Sequence, residues 1–197
     1  MIRLALMLSL AAAPALAAGP PDPDWPCIQR RQPSLSLAQV WPGPPADAAV
    51  EALAGEDEAA AVARLIALRR TSMEEAQTAI DAYAQGKDAA ALTALMAATL
   101  ADINRTRDRV MAGITRYAHK QEALDGQIED LRHQFAALNA AEPKDFDKID
   151  AAEAQLDWST RIFQDRQQSL TYVCETPVIL EQRAFALGRA IAAHLPD

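Results

Sequence analysis

The chain has little of what enzymes usually need. Three histidines, two cysteines and seven scattered glycines are all it carries of those types. His119 and His133 lie about 21 Å apart along a helix, too far to share an ion, and none of His119, His133 and His194 has a histidine one turn away. There is no CxxCH for haem attachment, no GxSxG and no glycine-rich phosphate loop. No nucleophile and base stand at a recognisable spacing, so the sequence assigns no catalytic residue, no metal and no cofactor. It also lacks basic excess. With 19 Lys and Arg against 27 Asp and Glu, the formal net charge is −8, which argues against nucleic acid as a partner and against passive attraction to anionic lipid. Aromatic residues make up 5% while half the chain is hydrophobic and rich in alanine. That composition suits closely packed helices rather than a β-sandwich.

What is present begins with the leader MIRLALMLSLAAAPALA. One charge at Arg3, an apolar run from Leu4, and Ala15 and Ala17 at A-x-A spacing read as a secretory signal over residues 1–17, cleaved after Ala17 or Ala18. The run is broken by Pro14 and is too short to anchor in a membrane. Cys27 lies well past it, so no lipid attachment is expected, and without a twin-arginine pair export is read as unfolded. The expected address is the periplasm or the exterior. In that oxidising setting the pair Cys27 and Cys174 reads as a disulfide, stabilising by up to about 5 kcal/mol in the chain-entropy model.

Residues 18–45 carry Pro20, Pro21, Pro23, Pro26, Pro33, Pro42, Pro44 and Pro45, which exclude a long helix and favour extended backbone. Trp25, Ile28, Leu35, Leu37, Val40 and Trp41 are too many large apolar groups for a free tail. The segment is read as an extended strap pinned by Cys27 across the folded body; Leu35 and Leu37 alternate as in a short strand, but no partner strand is evident. Residues 46–197 read as one helical domain. One short helical stretch begins near Ala46 and firms up from Glu56, and Ser72 with Glu75 forms a capping box for a second that ends near Gly86.

Two long helices follow, over about 88–139 and 145–194. Leu100, Ile103, Arg107, Val110, Ile114, Tyr117, Gln121, Leu124, Ile128, Leu131, Phe135 and Leu138 keep a 3-4 spacing. A second series runs from Ile149 through Ala152, Leu156, Ser159, Phe163, Arg166, Leu170 and Val173 to Ile191. A turn near Glu142 folds them into an antiparallel hairpin. Counting back from it sets Phe135 near Ile149, Ile128 near Leu156, Tyr117 opposite Arg166, Ile114 near Leu170, and Val110 near Val173 and Cys174. The fold class is therefore all-α: a four-helix head, a projecting coiled-coil arm about 33 Å long, and the N-terminal strap.

Polar breaks in the seam, at Arg107, Gln121, Ser159 and Arg166, read first as register specification. Pro177 removes a helical hydrogen bond one turn after Cys174, so a kink or break is expected there, freeing the Val173 carbonyl. Arg30, Arg31, Arg107 and Arg183 fall near this point, with Glu175 and Glu181. They read as ion-paired, or as a notch that binds a carboxylate or phosphate. Trp158, one position off the seam, is a candidate partner contact or a cover for the hairpin edge.

The segments WPCIQRRQP (25–33) and TYVCETPVILEQR (171–183) resemble those of a family of small exported bacterial proteins with no assigned function. The resemblance implies that the two cysteine segments belong together, and nothing about chemistry. In general shape the arm is similar to periplasmic coiled-coil chaperones, which are basic and lack this disulfide, so the similarity is architectural. The functional expectation is a non-enzymatic accessory protein that binds another envelope protein through arm or head. The alternative is a small-anion binding module, and self-association through the seam is a further option.

Overall fold

A computed structural model describes Asp22 and residues 24–196. The leader over 1–17 lies outside the described residues. Among them the chain is all-α, with six helices and no strand: α1 (Leu37–Val40), α2 (Ala48–Ala54), α3 (Asp57–Ala67), α4 (Met73–Ala84), α5 (Ala89–Ala140) and α6 (Phe146–Ala192). The Leu35 and Leu37 alternation belongs to no strand, because Leu37 opens the one-turn α1. Its start is fixed by Ser36, whose backbone N–H donates to Gln39 Oε1 at 2.7 Å. Gly55 divides the first expected helix into α2 and α3, and the Asp47 carboxylate caps α2 by accepting from the Val50 N–H at 2.9 Å.

The Ser72 capping box forms as the sequence implies, with Ser72 N–H on Glu75 Oε2 at 2.7 Å and Glu75 N–H on Ser72 Oγ at 3.1 Å. Gly86 has φ 70°, the left-handed corner that glycine adopts without steric cost. Asp88 then caps α5 through the Ala91 N–H, and Asp145 caps α6 through the Lys148 N–H. These two aspartates set the hairpin's helix starts within a residue or two of the periodicity reading.

The two long helices pack as an antiparallel pair, in the expected register. Tyr117 Oη donates to the Arg166 carbonyl at 2.7 Å, and Gln121 Nε2 to the Phe163 carbonyl at 3.2 Å. The Tyr117 contact is thus made to backbone rather than to the guanidinium. Arg107, Gln121 and Ser159 are buried, but Arg166 and Val173 are exposed and Cys174 and Pro177 take the inward places. Past Leu170 the buried series runs 174, 177, 180, 184, 187 and 191, again a 3-4 spacing, one position later than the expected one at Val173. Of the kink or break expected at Pro177, the break does not occur: α6 runs continuously through it. Burial of Cys174, Pro177 and Leu180 holds both flanks of the proline against the fold and offsets its missing hydrogen bond, worth up to about 3 kcal/mol in an isolated helix.

The main core joins Leu35, Val40 and Trp41 to the inner faces of α3 and α4, the first turns of α5 (Leu92 to Ile103) and the last turns of α6 (Leu180 to Ile191). A smaller cluster of Trp25, Met111 and Ile114 lies further along α5. Beyond Gln121, burial thins to Ile128, Ile149 and Ser159.

Gly188 marks the tightest approach in the core. A Cβ there would overlap the Val40 carbonyl oxygen, whereas a Cβ on Gly126 in α5 would meet nothing within 4 Å. Glycine-to-alanine changes in open helix positions stabilise by roughly 0.5–1 kcal/mol, so Gly126→Ala should raise the melting temperature. Gly188→Ala should lower stability by about 1–3 kcal/mol through overpacking. Urea unfolding of both variants checks the opposite signs.

Candidate functional site

The strap is a lengthwise fitting rather than a crossing one. Asn104 bonds both backbone groups of Leu35: its Oδ1 accepts from the Leu35 N–H at 3.1 Å and its Nδ2 donates to the Leu35 carbonyl at 2.8 Å. Arg107 Nη2 donates to the Gln32 carbonyl at 3.1 Å, and Thr115 Oγ1 to the Asp24 carbonyl at 2.9 Å. His119 Nε2 lies 2.6 Å from Asp24 Oδ1. Positions 104, 107, 115 and 119 share one face of α5, so the strap runs antiparallel along it. Asn104, Arg107 and Thr115 satisfy backbone groups that an extended segment cannot pair for itself. The Cys27–Cys174 disulfide forms, tying the same segment to α6. That bond accords with an oxidising compartment. Among the described residues no helix is long and apolar enough to cross a membrane.

The four arginines expected near the disulfide have separate roles. Arg107 is 1% exposed, and its Nε and Nη1 have no hydrogen-bond partner among the described residues. Burial pushes its pKa below the usual arginine value, opposed by the carboxylates of Glu181 and Asp108. Arg30 lines the same cavity, between Trp25, Cys174, Pro177 and Glu181. The cavity measures about 20 Å³, room for one water and less than a carboxylate or phosphate ligand needs. Arg31 instead lies over the Trp25 ring, 5.8 Å from its centroid, and faces Asp22 at 3.8 Å. Arg183 is elsewhere: its Nε and Nη2 donate to the Ile66 carbonyl at 2.8 and 2.6 Å. It caps the C-terminal end of α3, where helical carbonyls lack intrahelical partners. None of these four arginines pairs with Glu175 or Glu181 among the described residues; the Val173 carbonyl also does not draw Arg107, which turns to the strap.

The histidines each meet one carboxylate, in three separate places: His119 with Asp24, His133 with Glu129, and His194 with Asp81. Trp158 is 59% exposed. With Lys120, Leu124, Gln155 and Ile162 it borders an open depression of about 400 Å³ between the outer parts of α5 and α6. Tyr172 and Ile179 are also exposed. They stand two and three heptads beyond Trp158, so the three form one longitudinal row on the paired helix.

One constellation has no counterpart in the sequence reading. Arg64, Arg69, Arg105 and Arg109 surround a groove of about 570 Å³ floored by Leu65, Leu68 and Leu180. Arg105 and Arg109 are one turn apart on α5, which was legible; that the corner after α3 would bring Arg64 and Arg69 to them was not, since it depends on how α3 docks.

With the geometry in place, comparison adds no identity. No family model matches this chain, and no match is found among curated proteins or solved structures.

Proposed function

We propose that the protein is a non-enzymatic accessory protein of the bacterial periplasm that binds another envelope protein through the exposed face of α6, from the outer part of the helical pair toward its core-bearing end. In this reading the core-bearing end is a head and the stretch beyond Gln121 and before Phe163 is a projecting arm. One observation carries it: the exposed row of Trp158, Tyr172 and Ile179 at heptad spacing, on a helix that is already paired. Such a row leaves a further helix a ready seam, and aromatic anchors commonly dominate the energetics of interfaces. The disulfide fits an oxidising compartment.

Replacing Trp158 and Tyr172 together by alanine should leave the melting temperature within about 4 °C of the parent's, because both are exposed and each surface change stays within about 0.5 kcal/mol. The same change should abolish co-purification of any partner recovered with the parent chain from envelope extract. Light scattering on the parent distinguishes a foreign partner from self-association: a monomer is expected, and a dimer dissolved by the double variant would make a second copy the occupant. Retained co-purification by the variant would refute the assignment.

A further inference from the structure

We propose that the arginine-rimmed groove between α3 and α5 is a binding site for a small amphipathic anion, a molecule with an apolar tail and one carboxylate or phosphate head. The charge of the groove opposes that of the chain. Arg64, Arg69, Arg105 and Arg109 face it with Asp102 as the only acidic residue in its wall among the described residues, in a protein whose formal net charge is −8. Asp102 is already engaged by Arg105. Among the described residues, no carboxylate lies within 4 Å of the guanidinium groups of Arg64, Arg69 or Arg109. Guanidinium groups in this setting recognise carboxylates and phosphates through paired hydrogen bonds.

The floor says what else the ligand carries. Leu65 and Leu68 are exposed apolar side chains, and a bare inorganic anion would leave them uncovered. A second depression, of about 380 Å³, continues along α5 and shares Arg64, Asp102 and Arg105 with the first. The rest of its wall is mostly alanine, Ala54, Ala60, Ala97, Ala98 and Ala101, with Glu51 and Gly55 at its α2 end. From Ala97 to Arg109 is about 18 Å of helix, long enough for an extended tail of around ten carbons beside a head held by the guanidiniums. The volume falls in the range of small-ligand sites. This site is independent of the arm, so either assignment can fail without the other.

The test is calorimetric titration of the oxidised mature chain, below micelle-forming concentrations, with decanoate, decyl phosphate, decyl maltoside, acetate and inorganic phosphate. Saturable one-to-one binding is expected for the two decyl anions, at least tenfold tighter than for the maltoside, with no saturation by acetate or phosphate alone. The tighter of the two anions identifies the head group. Arg69→Gln with Arg109→Gln should weaken binding about tenfold or more, and Leu68→Asn should weaken it with the head contacts intact, both without a change in melting temperature. Equal affinity for the maltoside, no saturation by either anion, or unchanged affinity in the arginine double variant would overturn the proposal. Saturation by a pentaglutamate peptide alone would overturn it in favour of an acidic protein segment.

Discussion

A chain in which Cys27 and Cys174 are both replaced by alanine is expected to unfold about 2–5 kcal/mol more easily than the oxidised parent. The bond closes a loop between residues 147 positions apart, so its loss restores much freedom to the unfolded chain. The folded state loses as well. Trp25 is buried against Met111 and Ile114, and its indole N–H donates to the Gln29 carbonyl at 2.6 Å, inside the segment that Cys27 anchors. Without the anchor, the residues before Gln32 are held to α5 by the Thr115 and His119 contacts with Asp24 and by the packing of Trp25. Trp25 should then be more exposed, with a red shift in fluorescence, while Leu35 stays fixed by Asn104. Urea unfolding with and without reductant checks the stability; equal midpoints would show that the strap is held by packing alone.

Arg107→Ala is the second change of large effect. It removes a buried side chain and the donor to the Gln32 carbonyl, and should cost about 2–4 kcal/mol. Arg107→Met should recover most of this, to within about 1.5 kcal/mol of the parent, because it fills the volume and removes two buried guanidinium nitrogens that lack partners. The two variants separate structure from binding. If Arg107 serves the fold alone, both effects are confined to unfolding midpoints. Arg30→Ala, at an exposed position of the same cavity wall, should leave the midpoint unchanged.

The long hairpin was largely legible because its signals are local and redundant. Apolar spacing marked the seam and the approximate helix bounds, and the loop fixed a register that Tyr117 and Gln121 now make visible as hydrogen bonds to α6. The inward turn of Cys174 instead of Val173 was missed because both are apolar neighbours and the disulfide decides between them. The path of the strap was missed for a different reason. Asn104, Arg107 and Thr115 reach backbone carbonyls of a segment 69 to 91 residues away, and carbonyls carry no sequence signature. The same holds for Arg183, whose partner is the Ile66 carbonyl 117 residues away. Sequence proximity to Cys174 grouped it with Arg107, but one helical turn is enough to aim it at another element. The groove formed by Arg64, Arg69, Arg105 and Arg109 depends on the docking of α3, which propensity and spacing do not specify.

The proposed function requires the exposed row of α6 to be a working surface. A photo-crosslinking amino acid placed at 158 and at 172 of the exported chain, with position 85 at the end of α4 as control, tests this most directly. One discrete adduct to a different envelope protein from both α6 positions, and none from position 85, is the predicted result. No adduct at either α6 position, or the same adduct from all three, would contradict it.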